Sequence, residues 1–374
     1  MSGGADSLRV LMISKACIVG MYQKKLAAMA EAAPDLDLTV VVPPFWRDER
    51  GKTSLERVYT QGYRLEVVPM MFNGAFHLYF YPGLRKVIVR EKPDLVHIDE
   101  EPYNVATYHA NVLGHHLGAK TLWFSWQNLD RQYPPPFSWI EQYNLRHIDH
   151  ALVGSQTAAE VWRAKGYGGG LDVIPQFGVD PGVFCPPDGR QADAPVHIVY
   201  VGRLVSEKGC DVLLDALAKL AGNWWATLLG SGPLLNALRD QASSLGINGK
   251  VRFSPWLPST EMPQFYRTAD VLVLPSRPRP NWTEQFGRVL TEAMASEVAV
   301  VGSDVGEIPH VIGNAGIVFP EGDAVALADV LNRLVSVPAV RRDLGIRGRA
   351  RVMSHFTQQH IADATLAVYR KLVA

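Results

Sequence analysis

The chain has 374 residues, which is too long for one hydrophobic core and typical of two domains. Hydrophobic residues make up 47% of it and charged residues 20%, which excludes a disordered protein. Lys and Arg together number 37, as do Asp and Glu, so there is no overall basic field and we expect no nucleic-acid partner.

The three cysteines are far apart in the sequence and show no metal-ligand spacing; they are Cys17, Cys185 and Cys210. This pattern is typical of free buried thiols in a reducing compartment. No run of about twenty apolar residues exists, so the sequence predicts no transmembrane segment. We therefore expect a cytoplasmic protein.

The first half alternates apolar runs typical of strands with amphipathic stretches typical of helices. Strands are predicted at 8–13, 38–42, 64–68, 95–98, 121–125, 151–154 and 172–175, and helices at 21–33, 103–117 and 157–165. Such alternation predicts a parallel sheet with helices on both faces. Residues 186–193 then break all periodicity, which is typical of an interdomain linker.

A second alternation follows the linker. Strands are predicted at 197–201, 226–229, 251–253, 271–274, 298–301 and 317–319, and helices at 211–221, 233–244, 259–266, 286–296, 324–335 and 357–372. The fold class is therefore α/β, with two doubly wound, Rossmann-like domains. The predicted domains are 1–188 and 195–356.

One stretch after the predicted strand 271–274 brackets a helix start with two carboxylates. It reads Glu284-Gln285-Phe286-Gly287-Arg288-Val289-Leu290-Thr291-Glu292. Phe286 and Gly287 are predicted at the helix start, where unpaired N–H groups and the helix dipole favour a phosphate. Eight helical residues would rise about 12 Å, which is roughly the length from a sugar ring, past a diphosphate, to a ribose. We therefore expect Glu284 at one end of a nucleotide sugar and Glu292 at the other.

A second stretch places two cations on one tight loop between a predicted strand and a predicted helix. It reads Val201-Gly202-Arg203-Leu204-Val205-Ser206-Glu207-Lys208-Gly209. Arg203 and Lys208 suit a diphosphate, because Arg can grip it bidentately and Lys acts as a point charge. The alternative interpretation is two solvated surface cations.

Both stretches resemble motifs of the family 4 retaining glycosyltransferases, which have the GT-B fold. The resemblance therefore implies that the two domains face each other across a cleft. The family pattern Glu-Pro-Phe-Gly, four residues, Glu-Ala matches 284–293 except for Gln285, and Gly-Arg-Leu, three residues, Lys-Gly matches 202–209. The resemblance implies that Glu284, Arg203 and Lys208 are catalytic. It implies a donor site that includes Gly202, Gln285, Phe286, Gly287 and Glu292. It also implies that the helix within 357–374 crosses back to the N-terminal domain.

Three further positions border the expected donor site. Gly20, in the loop between the first strand and helix, resembles part of the family's glycine-containing loop near the donor phosphates; a simple turn is the alternative. Trp256 could stack on the nucleotide base or belong to the core. The turn from Gly230 to Pro233 lacks the third glycine of a dinucleotide fingerprint, since Leu235 occupies that position, and is interpreted as a tight strand-to-helix connection.

Candidate acceptor-side residues follow two strands of the first half. Glu100 and Glu101 belong to a run of three acids after strand 95–98; such adjacent side chains do not face one point, so this is no metal site, but they could meet acceptor hydroxyls. Gln127 and Asn128 follow strand 121–125. We align Gln127 with a family histidine near the reaction centre, and glutamine can only hydrogen bond there.

Residues 72–90 combine aromatic and basic side chains. Such a face could contact anionic lipid beside a lipid-linked acceptor, at the inner face of the membrane. The alternative is a loop and helix packed on the sheet.

The resemblance implies a retaining glycosyltransferase that moves a sugar from a UDP- or GDP-linked donor to an acceptor hydroxyl, in the synthesis of a glycan, glycolipid or glycosylated metabolite. We expect no cofactor and no metal. Two alternatives remain open: a nucleotide-sugar epimerase of the same fold, and a non-catalytic partner subunit. The intact set of Arg203, Lys208, Glu284 and Glu292 argues against the second.

Overall fold

The computed structural model describes residues 7–48, 51–187, 189 and 194–374. The strands in these ranges are β1 (Leu8–Ile13), β2 (Leu36–Val42), β3 (Phe45–Asp48), β4 (Gly51–Ser54), β5 (Arg64–Val67), β6 (Leu95–Ile98), β7 (Lys120–Ser125), β8 (His150–Val153), β9 (Gly170–Val173), β10 (Val196–Val201), β11 (Trp224–Leu229), β12 (Val251–Ser254), β13 (Val271–Leu274), β14 (Ala299–Ser303) and β15 (Ile317–Phe319).

The helices in the same ranges are α1 (Lys24–Ala32), α2 (Leu84–Glu91), α3 (Val105–His116), α4 (Phe137–His147), α5 (Gln156–Ala164), α6 (Cys210–Leu217), α7 (Leu235–Ser244), α8 (Met262–Arg267), α9 (Arg288–Ala295), α10 (Ile308–Ile312), α11 (Ala324–Ser336), α12 (Pro338–His355) and α13 (Gln358–Val373). Among the described helices, none is both long enough and apolar enough to cross a membrane.

The chain folds into two compact units. Unit 1 comprises Met1–Gly178 and Gln358–Ala374, and unit 2 comprises Val179–Thr357. The first division falls before the linker at 186–193, because Val179 donates its N–H to the Phe356 carbonyl at 2.8 Å and bridges Thr357 in parallel. Residues 179–187 therefore belong with unit 2.

Each unit is built on a parallel sheet. Over the described residues, unit 1 has the strand order β5-β2-β1-β6-β7-β8-β9, and unit 2 has the order β12-β11-β10-β13-β14-β15. The pair β3–β4 is antiparallel and separate from both sheets. This arrangement confirms the predicted α/β class with two doubly wound halves.

Both faces of each sheet are covered, which explains why the strands are apolar runs and not alternating ones. In β1, Val10 and Met12 face a core shared with α1 and α13, whereas Leu11 and Ile13 face a core shared with α2 and α3. α13 contributes buried residues such as Tyr369 to the first of these cores.

Each sheet has one point where the strand order reverses. In unit 1 it lies between β1 and β6, and in unit 2 between β10 and β13. Loops leaving two such strands run in opposite directions and leave a crevice at the carboxyl ends, where ligands bind in open α/β sheets. Ligand-binding residues are therefore expected in the loops that follow these four strands.

Candidate active site

Two loops of unit 2 meet at the reversal point between β10 and β13. The loop 202–209 follows β10, and the loop 275–287 follows β13. They are joined directly, since the backbone N–H of Arg277 donates to the Glu207 carbonyl at 2.8 Å. The Arg277 guanidinium also forms an ion pair with Asp211 at the start of α6.

An ion pair between Lys208 and Glu284 bridges these loops. The Lys208 Nζ lies 2.5 Å from the Glu284 Oε2, and the Ser276 hydroxyl donates to the same oxygen at 3.0 Å. The Lys208 ammonium also lies 4.8 Å from the centre of the Trp282 ring. Only 18% and 10% of the two charged side chains are exposed, so water screens the pair weakly. One buried carboxylate oxygen thus fixes the lysine beside the crevice.

Gly209 allows the two loops to approach. Its φ is +63°, and a Cβ placed on it would lie 2.0 Å from the Pro275 carbonyl oxygen. A backbone atom cannot move away as a flexible side chain can. The residue after Lys208 must therefore be glycine for the ion pair to form as observed.

Replacement of Gly209 by alanine is expected to lower the free energy of unfolding by about 2 kcal/mol, through left-handed backbone strain and the clash with Pro275. Urea denaturation followed by circular dichroism would measure it. Gly249→Ala is the matched control, because a Cβ there meets nothing within 4 Å. Equal stability of both variants would show that the 202–209 loop adapts without cost.

Arg203 lies on the same loop with an exposed side chain. It takes part in none of the ion pairs formed within the described residues. Its backbone is held, because the Tyr200 hydroxyl donates to the Arg203 carbonyl at 2.7 Å. A Cβ on Gly230 would lie 1.8 Å from the Gly202 carbonyl oxygen, so the turn at 230–233 packs directly against this loop. The guanidinium is thus available to an anion on a fixed backbone.

The helix in the carboxylate motif begins later than predicted. Gly287 is the N-cap of α9, with φ 75° and ψ 57°, and Arg288 is the first helical residue. The helix predicted at 286–296 thus starts two residues later, because a left-handed residue cannot belong to a right-handed helix, and the rise expected for eight helical residues does not apply between Glu284 and Glu292. Glu284 lies in the loop and only Glu292 lies on the helix.

Glu292 is almost fully buried and has its own partners. The Tyr266 hydroxyl donates to its Oε2 at 3.1 Å, and the Arg288 guanidinium donates to its Oε1 at 2.9 Å. Glu284 and Glu292 thus have different environments: one is tied to a lysine from the neighbouring loop, the other to a tyrosine from α8.

The reversal point of unit 1 also carries a lysine–glutamate pair. The Lys15 Nζ lies 2.6 Å from the Glu100 Oε2, and the Lys15 backbone N–H donates to the Glu100 Oε1 at 2.9 Å. The Tyr79 hydroxyl donates to Glu100 as well. The ammonium of Lys15 lies near three aromatic rings, those of Trp46, Phe76 and Tyr79.

The acids on either side of Glu100 point elsewhere. Asp99 accepts hydrogen bonds from Ser14 and Gln176, and burial raises the pKa of Asp99 to about 6. Glu101 accepts from the Ser125 hydroxyl at 2.5 Å and from the Trp126 N–H at 2.9 Å. Burial raises the pKa of Glu101 to about 7. The three acids tie β6 to β1 and β7 and do not converge on one point.

Two family sequence models match the chain. The one described as Glycosyltransferase Family 4 matches residues 26–181, and the one described as Glycosyl transferases group 1 matches residues 187–351. The alpha-maltose-1-phosphate synthase of Mycolicibacterium smegmatis is 31% identical over 268 residues, which are 63% of this chain and 67% of that protein. The chain is a family 4 glycosyltransferase.

Other relatives match this glycosyltransferase over shorter parts of their length. A GDP-mannose-dependent alpha-(1-6)-phosphatidylinositol monomannoside mannosyltransferase of the same organism is 33% identical, over 53% of this chain and 56% of that protein.

A sucrose-phosphate synthase from Thermosynechococcus elongatus superimposes with a TM-score of 0.70 at 21% identity, covering 97% and 98% of the two chains.

Anabaena HepE, solved in complex with UDP-glucose, superimposes with a TM-score of 0.66 at 18% identity, covering 97% and 99% of the two chains. At such identities these structures show the fold alone, and that fold is GT-B, as the resemblance implied.

The predicted donor-side residues of the glycosyltransferase occupy distinct settings. Trp256 is 48% exposed just after β12, so it is not a core tryptophan. Phe286 is buried and its ring meets that of Phe356 edge-on at 5.7 Å. Gln285 is exposed. Gly202 leaves room for the Tyr200 hydroxyl, which a Cβ would approach to 2.4 Å. Phe286 is thus an anchor for the motif.

Gly20 is covered by another part of unit 1. Its N–H donates to the Glu56 carboxylate at 2.7 Å, and a Cβ on it would lie 2.4 Å from Val58. The side chain of Gln23 fastens the same segment, since it hydrogen bonds to the Glu56 carbonyl at 2.7 Å and accepts from the Val58 N–H at 3.0 Å. Residues 56–58 therefore occupy the space that the sequence assigned to a ligand.

The acceptor-side candidates also differ from one another in burial and hydrogen bonding. Glu100 is buried, Glu101 is partly buried, and both are bonded within the protein, as described above. Gln127 is 5% exposed and lies immediately after the Trp126 that Glu101 holds. Asn128 is half-buried. The carboxylates of the two acids thus both have partners within unit 1.

The aromatic and basic stretch at 72–90 has a packed part and an exposed part, and its contact with lipid stays a prediction. α2 packs Leu84, Val87 and Ile88 into the core of unit 1. Phe72 and Phe76 remain 58% and 43% exposed in the preceding loop. The helix is therefore part of the packed sheet cover, and the loop presents apolar surface.

Several site residues gave no recognisable sequence signal. Ser276 and Trp282, in the loop before Glu284, and Tyr266, on α8, contact the motif side chains but belong to no motif themselves. Lys15 follows a strand that ends at a reversal point, which could have marked it. Among the described residues, no group of three His, Cys, Asp or Glu side chains could hold a metal ion.

Proposed function

We propose that this glycosyltransferase moves a sugar, with retention of configuration, from a nucleotide diphosphate sugar to an acceptor hydroxyl. The observation that carries the proposal is the Lys208–Glu284 pair beside the exposed Arg203, at the reversal point of unit 2. A diphosphate needs cations fixed in place, and a sugar ring that gains positive charge needs a carboxylate nearby. This arrangement offers both within two adjoining loops.

A UDP- or GDP-linked donor is the proposed substrate. The fold neighbour HepE was solved with UDP-glucose, and the mannosyltransferase relative is named for its dependence on GDP-mannose. Trp256, half exposed at the carboxyl end of β12, offers a ring on which either base could stack. Glu292, on the second turn of α9, is the proposed partner of the ribose hydroxyls.

In the proposed reaction the bond between the sugar C1 and the phosphate oxygen breaks, and the electron pair leaves with the nucleoside diphosphate. Arg203 and Lys208 stabilise that negative charge. The acceptor oxygen bonds to C1 and its proton is released. Glu284 stabilises positive charge on the sugar ring; two donors on its Oε2 suit a stabilising carboxylate better than an attacking one.

The acceptor is proposed to be a hydroxylated molecule, lipid-linked acceptors included, used in glycan, glycolipid or glycosylated metabolite synthesis. The relative that acts on a phosphatidylinositol mannoside and the exposed Phe72 and Phe76 support a lipid-linked case at the inner face of the membrane. Reaction in the cytoplasm with a free acceptor is the other arm of the proposal.

Calorimetric titration with UDP, GDP and ADP is expected to show binding of at least one of them. Arg203→Ala should weaken that binding about tenfold or more, because it removes charge-assisted hydrogen bonds to the diphosphate. Arg342→Ala, at an exposed arginine of α12, is the control and should bind as the unmodified chain does. Absence of heat with all three nucleotides would overturn the proposal.

The same proposal holds that turnover needs no divalent metal, because two cations and a helix start serve the diphosphate. With a donor that supports turnover, release of free nucleoside diphosphate should continue in EDTA. Loss of turnover in EDTA and its return with manganese would contradict this part alone. Conversion of the donor without release of nucleoside diphosphate would indicate an epimerase.

A further inference from the structure

A group of aromatic side chains surrounds His77 in unit 1, where the segment between β5 and α2 meets the segment that follows β7. The ring centre of His77 lies 5.5 Å from that of Phe76, 5.4 Å from that of Tyr133 and 5.1 Å from that of Phe137. We call these four residues the aromatic shelf. All four side chains are exposed in part, and Phe76 is 43% exposed. The shelf is therefore open to a ligand.

Gln127 lies beside the shelf with its amide held in one orientation. The Tyr133 hydroxyl donates to the Gln127 Oε1 at 3.1 Å. Because the Oε1 of Gln127 accepts this bond, the NH₂ group lies on the other side of the amide.

That NH₂ group has no partner. The Gln127 Nε2 is buried and forms no hydrogen bond with any described residue. Buried side-chain donors in folded proteins are paired as a rule, so one that is not calls for an explanation. The backbone gives Gln127 no freedom to turn away, since its N–H donates to the Ser125 hydroxyl at 3.0 Å, which Glu101 holds in turn. A hydrogen-bond acceptor on a bound ligand would satisfy this NH₂ group.

The chemistry of this corner selects one class of ligand. Aromatic faces attract the C–H groups of a sugar ring, because the ring quadrupole is negative on its face. An amide NH₂ donates to a hydroxyl or ring oxygen and does not suit an acyl chain. His77 is neutral near pH 7, because burial and Arg131 lower its pKa, so its ring can donate to one hydroxyl and accept from another. Apolar faces with a few fixed polar groups are typical of small-molecule sites.

We propose that the aromatic shelf and Gln127 form the subsite for the ring of a carbohydrate acceptor. The inference rests on the proposed function, because it is the transfer reaction that requires an acceptor. It deepens that function by naming the acceptor class: a sugar or cyclic polyol, bound by its ring, and not a simple alkyl alcohol.

Saturation-transfer NMR on the full chain tests the proposal with methyl α-D-glucopyranoside and myo-inositol as probes and 1,6-hexanediol as the non-ring diol. Saturation is expected to reach the ring C–H protons of at least one ring probe, at least fivefold more than the hexanediol protons. Ring probes that give no more transfer than hexanediol would overturn the proposal.

Two variants separate a ligand contact from a packing role. Gln127→Leu keeps the volume and removes the unpaired donor, so the ring-probe signal should fall at least fivefold while the melting temperature stays within a few degrees. Tyr133→Phe keeps the ring but frees the amide to rotate, so part of the signal should be lost. Gln264→Leu, exposed on α8 of unit 2, is the matched control and should change nothing. Full signal in Gln127→Leu would refute the role of Gln127.

Nucleotide binding, measured on the same samples, distinguishes the two proposals. All three variants should bind the nucleoside diphosphate as the unmodified chain does, because the substituted residues lie outside the proposed donor site. Nucleotide binding without ring-probe signal would overturn the subsite alone. Ring-probe signal without nucleotide binding would overturn the proposed donor site and leave unit 1 as a carbohydrate-binding unit.

Discussion

Glu284→Gln is expected to lower kcat by about 100-fold, because the variant keeps the shape of the side chain but removes the charge that stabilises the sugar ring in the transition state. The structure adds a second expectation. Glu284 lies 2.5 Å from the Lys208 ammonium, so its neutralisation leaves that cation without its counter-charge. Affinity for the nucleoside diphosphate should therefore stay the same or rise. Steady-state kinetics with calorimetry would measure both effects.

Glu261→Gln is the control for this change, since Glu261 is exposed just before α8 and its side chain forms no hydrogen bond or ion pair with the described residues of the loops 202–209 and 275–287. Its kinetics should match those of the unmodified chain. A Glu284→Gln variant with unchanged kcat would remove this carboxylate from the chemistry. A variant that binds the nucleotide much more weakly would place Glu284 on the nucleotide instead of on the transferred sugar.

Glu292→Gln is expected to weaken nucleoside diphosphate binding by about 2 kcal/mol, or roughly thirtyfold, with little effect on kcat. A contact with ribose hydroxyls is equally present in the ground state and the transition state, so it changes binding and not the chemical step. Folding should change little, because glutamine keeps an oxygen for the Tyr266 hydroxyl and the lost partner, Arg288, is largely exposed.

Tyr266→Phe separates the charge of Glu292 from its positioning. It removes the hydroxyl bonded to Glu292 but leaves the carboxylate, so nucleotide affinity should fall by much less than in Glu292→Gln. If Glu292→Gln binds normally while Glu284→Gln binds poorly, the assignment of the two carboxylates is reversed. If both bind normally, neither carboxylate contacts the nucleotide.

The strands were predictable because most of them are buried on both faces. β1, β6 and β13 have the predicted bounds, as expected of apolar runs enclosed by helices. β15 also has the predicted bounds, although it is an edge strand and its Val318 is exposed. The β3–β4 hairpin was not predicted, because β4 is fully exposed and lacks an apolar pattern. α12 was missed for a related reason: it is rich in arginine and buries little of its length, so it shows no clear apolar stripe.

The motifs of the site were predictable, but their geometry was not. The sequence indicated that Lys208 and Glu284 serve one ligand. The two residues are 76 positions apart in the chain, however, and their direct contact depends on β10 and β13 being neighbours in the sheet. The late start of α9 depends on the left-handed backbone of Gly287, which the sequence permits without requiring. The cover over Gly20 comes from residues 56–58, which have no motif at all.

The composition of unit 1 from two separated stretches of sequence has a consequence for synthesis of the chain. α13 covers one face of the unit 1 sheet, where its Tyr369 hydroxyl lies 2.5 Å from the Nδ1 of the buried His97. Residue 358 leaves the ribosome 180 residues after residue 178, which is roughly 10–40 s at ordinary elongation rates. During that interval the nascent sheet keeps an apolar face open to water. Unit 2, which is continuous, can complete its core first, and unit 1 is the part that a chaperone would have to shield.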